Sequence, residues 1–104
     1  MSDNQFDDDA LTRDDIEEEI KEPSMYKVVL INDDYTPMEV VTIILTEFFA
    51  KEESEANTIM LKVHKEGKGL AGVYTHDIAK TKQTQSMAFA RKLGFPLRIE
   101  LEEE

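Results

Sequence analysis

The sequence predicts a small α+β domain of order βααβαβ, with three helices packed on one face of a three-stranded, mainly antiparallel sheet. Three observations carry this prediction. The run MYKVVLI is apolar and β-branched enough for a buried strand, and PLRIEL alternates apolar with charged residues. Between them, apolar residues recur at three- and four-residue spacing, the period of a half-buried helix. At 104 residues the chain supports one domain with a single modest core.

Residues 1–24 come first, with ten acidic groups against Arg13 and Lys21, a net charge of −8, and few large apolar side chains. Such a segment cannot bury enough apolar surface to order itself and is expected to be a disordered acidic extension. It would serve either as a solubilising tail or as a tethered arm that meets a partner. Pro23 marks the boundary with a folded domain over 25–104. MYKVVLI, Met25 to Ile31, is the first strand. Thr36 is then expected as N-cap, Pro37 at the first helical position and Glu39 as the partner of a T-x-x-E capping box. Met38, Val41, Ile44, Leu45, Phe48 and Phe49 form the buried stripe of that helix, which should end near Lys51.

A second helix is expected from about Ser54, with Ala56, Ile59, Met60 and Val63 as its stripe and Gly67 just past its end. GLAGVY reads as a short strand. Thr75 is placed to cap a third helix running to about Leu93 and closed by Gly94, with Asp77 in the first turn where the dipole favours an anion. In PLRIEL, Leu97, Ile99 and Leu101 face one way and Arg98 and Glu100 the other.

Composition excludes several classes of function. The net charge is −11, and residues 25–104 carry thirteen acidic groups against ten basic ones, a net of −3. Nucleic acid and anionic membranes both call for clustered Lys and Arg, so neither is an expected partner. No apolar segment approaches the roughly 20 residues that span a bilayer. The chain has no cysteine, which excludes disulfides and thiolate metal sites and fits a cytoplasmic protein. The acidic N-terminus does not read as a signal peptide.

The stretch from Leu30 to Val41, LINDDYTPMEVV, holds the most chemistry. A strand-to-helix turn needs one capping residue, yet this one gathers Asn32, Asp33 and Asp34. Adjacent carboxylates repel and offer a small domain no stability. One of the three forming an Asx-turn while the others are solvated is the plainest account. A catalytic reading would pair Asp33 and Asp34 with His64, but no paired His, G-x-S-x-G or phosphate loop accompanies them, so neither an enzyme nor a cofactor or metal is expected. A binding reading notes that Met60, Val63 and His64 stand at i, i+3 and i+4 on the second helix. Leu30, Met38 and Val41 flank the acidic turn. Packed as neighbours, the two helices would form an apolar recess with acceptors at its rim. The same residues also suit a core and a simple helix-dipole partner, and periodicity does not choose between these readings.

INDDYTPMEVV, IMLKVHKEGKG, GVYT and PLRIEL, spread over Pro23 to Leu101, together resemble the ClpS family, bacterial adaptors that hand substrates to the Clp AAA+ protease. The pair NDDYTPME and MLKVH at this separation is far more specific than a lone short motif. The resemblance implies recognition of N-degrons, substrates whose exposed first residue is Leu, Phe, Tyr or Trp. It implies that Asn32 and His64 bond the substrate's terminal ammonium directly, Asp34 through water, and that Asp33 adds negative potential. The imidazole nitrogen that accepts must then be unprotonated. Leu30, Thr36, Met38, Val41, Met60, Val63 and Leu97 would surround the first side chain, with Met38 the wall that rejects Ile and Val. Asp77 and Lys82 match positions that contact the N-terminal domain of a ClpA-type unfoldase hexamer, which works with ClpP. Lys80 stands where the family commonly has an acidic residue, and Gln83 where Val is frequent. A docking module that does not read amino termini is the alternative; Asn32, Asp34, Met38 and His64, all present, argue against it.

Overall fold

The structure, a computed structural model, describes residues 23–104. The acidic segment 1–24 therefore lies, apart from Pro23 and Ser24, outside the described residues. The elements follow the expected order: β1 (Met25–Ile31), α1 (Met38–Phe48), α2 (Glu53–Glu66), β2 (Lys68–Thr75), α3 (His76–Lys92) and β3 (Arg98–Glu103). The sheet is antiparallel throughout, with β1 in the centre between β2 and β3. Its central place leaves neither edge open to water, and the middle of its apolar run, Val28, Val29 and Leu30, is buried.

β1 pairs with β3 in continuous register from Tyr26↔Glu103 to Ile31↔Arg98. Against β2 the register shifts between Val28↔Gly72 and Val29↔Leu70, so Ala71 is the extra residue of a β-bulge. Val28, Leu30, Ala71 and Ile99 form one core cluster with Val41, Ile44 and Leu45 of α1, Ala56 and Val63 of α2, and Ala79 and Ala90 of α3. The other face of the sheet carries Lys27, Val29 and Leu70. A Cβ added at Gly69 would stand 2.7 Å from a Val63 methyl carbon and 3.3 Å from the Ile59 carbonyl oxygen. Only glycine at that position lets α2 lie so close to β2.

Both ends of α1 and the capping bond of α3 differ from expectation. The Thr36–Glu39 capping box is not formed, and α1 begins at Met38 with Pro37 in the N-cap position. The Thr36 hydroxyl donates to the Asp33 carboxylate at 2.8 Å instead of accepting from the helix. Pro37 contributes its carbonyl to the N–H groups of Val40 and Val41, at 3.0 and 3.4 Å. Thr75 stands at the N-cap of α3, but its side chain makes no capping bond. α1 ends at Phe48 rather than near Lys51, because Ala50 turns into the left-handed region at φ 55°. Gly67 (φ 93°) and Gly94 (φ 91°) close α2 and α3 in the left-handed conformation expected of them.

The end of α1 is tied down from a distance. The Lys82 ammonium on α3 donates to the Phe48 carbonyl at 2.8 Å and lies 5.7 and 5.3 Å from the ring centres of Phe49 and Tyr74. It thus satisfies a helix-end carbonyl that would otherwise lack a partner.

Candidate functional site

Strand β1 leaves the sheet at Ile31 and enters the acidic turn, whose conformation is set by Asp33. Asp33 Oδ1 accepts the N–H of Tyr35 at 2.8 Å and the N–H of Thr36 at 2.7 Å, and Oδ2 accepts the Thr36 hydroxyl. This is an Asx-turn reinforced by a second oxygen. Partial burial pushes the Asp33 carboxyl up, but the Thr36 and Tyr35 N–H groups, the Thr36 hydroxyl and the positive charge of Arg91 outweigh it and hold the group below its ordinary 3.8. Arg91 is itself placed by donating to the carbonyls of Phe95, at 3.1 Å, and Leu97, at 2.7 Å.

The same turn is anchored to α2. The N–H of Asn32 donates to the Gly67 carbonyl at 2.9 Å, and the N–H of Gly67 donates to the Val63 carbonyl at 3.0 Å. Residues just before the first helix are thereby brought against the end of the second, where His64 occupies the last turn.

The result is a recess of about 330 Å³ between the turn, α1 and the end of α2. Asn32, Asp33, Asp34, Thr36 and His64 supply its polar side, and Met38, Val41, Met60 and Val63 its apolar side. Nine residues expected from the sequence to form one site thus line one cavity. Asn32, Asp34 and His64 are exposed and face solvent as well as the recess. Leu30 and Leu97 do not line it: they are 0% and 1% exposed and sit in the core cluster that also holds Val41 and Val63.

Asp77 and Lys82 lie elsewhere, on α3. Asp77 is exposed in the first turn, with His76 Nδ1 3.6 Å from its carboxylate. Five residues separate it from Lys82, about 140° around a helix of 3.6 residues per turn, so the two do not share a face. The Lys82 ammonium is already engaged at the end of α1. Gln83, noted above as a departure, donates to the Ile99 carbonyl of β3 at 2.6 Å.

Tyr35 and Pro37 also line the recess and were not anticipated as site residues. Tyr35 is 75% exposed at the tip of the turn. Its signal in the sequence is weak, since an aromatic residue inside a polar turn suits either a core anchor or a rim. Among the described residues, no three His, Asp or Glu side chains gather to hold a metal ion, and no helix is long and apolar enough to cross a membrane.

Comparison with known proteins places these features in a family. The profile of the family described as ATP-dependent Clp protease adaptor protein ClpS matches residues 21–100. The ATP-dependent Clp protease adapter protein ClpS of Burkholderia thailandensis is 56% identical over 87 residues, covering 84% of each chain. That of Burkholderia mallei is 55% identical over 87 residues, with the same coverage. Among solved structures, Agrobacterium tumefaciens ClpS2 bound to L-phenylalaninamide superposes with a TM-score of 0.77 at 38% identity, over 80% of this chain and 100% of that one.

Proposed function

This chain belongs to the ClpS family, adaptors of the ATP-dependent Clp protease and not enzymes, and we propose that its recess reads the first residue of substrate proteins. The observation that carries the reading is one small cavity with acceptors on one side and Met and Val side chains on the other. At about 330 Å³ it lies at the low end of the roughly 300–1,000 Å³ typical of ligand sites, suited to one side chain rather than a folded ligand. The ligand of the Agrobacterium relative, L-phenylalaninamide, has both features this cavity would select, a free α-amine and a bulky apolar side chain.

A protonated amine removed from water requires acceptors. Asn32 and His64 bond it directly, Asp34 through a water molecule, and Asp33 adds negative potential while it holds the turn. Each charge-assisted bond contributes on the order of 1.5–3 kcal/mol. The side chain of Leu, Phe, Tyr or Trp enters between Met38, Val41, Met60 and Val63, with Leu30 and Leu97 as the packed support behind them. Burying it contributes roughly 1.5–3 kcal/mol. Neither half overcomes the entropy of association alone, so only a bulky residue at a chain start is bound.

Bound substrates pass to a ClpA-type unfoldase and ClpP in the cytoplasm. The surface of α3 that carries Asp77 meets the unfoldase's N-terminal domain; Lys82 supports that surface through the end of α1. The folded unit is 25–104, and the extension 1–24 is the arm that the unfoldase pore engages. A titration with Phe-initiated peptides tests the reading. The free peptide is expected to bind near micromolar strength, about −8 kcal/mol, and the N-acetylated one not at all. Equal binding of the two would leave a docking module blind to amino termini.

A further inference from the structure

A second depression, of about 670 Å³, runs between α1 and α2 on the far side of Met38 and Met60. Both methionines line it as well as the acidic recess, so the two cavities share a wall. Its remaining lining is Glu39, Thr42, Ile43 and Asn57. Ile43 is 42% exposed and Met38 45%, large apolar side chains left in water on adjacent turns of one helix. The Thr42 hydroxyl is turned back onto the Met38 carbonyl at 3.1 Å, so its one donor is used within the helix. Asn57 is exposed and brings an amide to the edge, suited to a passing peptide group.

We infer that this groove is a second subsite of the adaptor, which takes an apolar side chain from the third residue of the substrate whose first residue fills the acidic recess. The inference rests on the reading of the recess given above. The occupant follows from continuity: a chain that leaves the recess across Met38 and Met60 has the groove beside it. In an extended chain alternate side chains point the same way, and residues one and three are about 6.6 Å apart. Shared methionine walls also suit such a guest, because an unbranched thioether adapts to whatever lies on either side. Specificity would then extend beyond the terminal residue.

Three peptides labelled at the C-terminus, beginning Phe-Gly-Gly, Phe-Leu-Gly and Phe-Gly-Leu, are titrated by fluorescence anisotropy against the full chain. Leucine at the third position is expected to tighten binding about tenfold, equivalent to about 1.4 kcal/mol, and leucine at the second position to change it little. Ile43→Asp, and the milder Ile43→Ala, should remove that gain and leave Phe-Gly-Gly unaffected. Equal affinities of the three peptides for the wild type would overturn the subsite, as would a gain that survives in Ile43→Asp. Were Ile43→Asp to impair only delivery to the protease, the groove would be a surface for the unfoldase and the inference wrong. Failure of the terminal-residue reading itself is distinct, because Phe-Gly-Gly would then bind no better than its acetylated form.

Discussion

The backbone N–H of Asn32 donates to the carbonyl of Gly67, 2.9 Å away, and so joins the acidic turn to the end of α2. Gly67 offers that carbonyl because its left-handed conformation (φ 93°) ends the helix at this point. Ala in place of Gly67 would meet no atom within 4 Å, so the cost is that of the backbone alone, about 1–2 kcal/mol. Gly67→Ala is expected to lower the melting temperature by about 4–8 °C per kcal/mol and to weaken Phe-peptide binding. Gly67→Asn, which tolerates positive φ, should recover part of both. Unchanged peptide affinity in Gly67→Ala, below its melting range, would show that the turn keeps its place without the end of α2.

Asp33→Ala removes three hydrogen bonds from the turn at once. We expect a loss of about 1–2 kcal/mol at pH 7 and a weaker affinity for Phe-initiated peptides. The folded pKa of Asp33 is depressed below 3.8, so its contribution is fully present above that value and is lost as pH falls through the lowered one. Thermal unfolding of wild type and variant should therefore differ at neutral pH and converge in strong acid. Parallel curves down to pH 2 would mean that the carboxylate does not hold the turn.

Met38 is 45% exposed, so its truncation should disturb the recess more than the core. Met38→Ala is expected to retain Leu- and Phe-initiated peptides while admitting Ile- and Val-initiated ones, a relaxation of about tenfold or more. Circular dichroism should stay near wild type. Continued rejection of Ile and Val would assign the exclusion to another wall.

Deleting residues 1–22 removes ten acidic groups and two basic ones. Peptide titrations and thermal unfolding should be nearly unchanged, because a segment with a net charge of −8 and few large apolar side chains adds little to a core or an apolar recess. Degradation of a Phe-initiated fluorescent substrate by the cognate unfoldase and protease should stop. Full-speed degradation with the truncated adaptor would reduce the segment to a solubility tail, and lost peptide binding would move the domain boundary.

What the sequence determined by itself was whatever short-range physics controls. β-branched runs, the 3.6-residue stripe and glycines after Glu66 and Leu93 specified the six elements in order, since each signal acts within one turn or one strand. The motif NDDYTPME with MLKVH announced a shared site for the same reason that a family is recognisable at all: its polar side chains are set at particular offsets. Only the tertiary structure decided how those side chains are used. Thr36 had two partners of similar energy within three residues, the helix N–H groups and Asp33, and the loop's geometry gave it to Asp33. The sequence showed three polar residues in a row; the fold made Asp33 the builder of the turn and left Asn32 and Asp34 exposed at the recess. Lys82 reaches Phe48 across 34 residues, and the groove between α1 and α2 draws its lining from both helices. Contacts over such separations leave no periodic trace in the chain, because they depend on how packed elements are oriented rather than on the residues beside them.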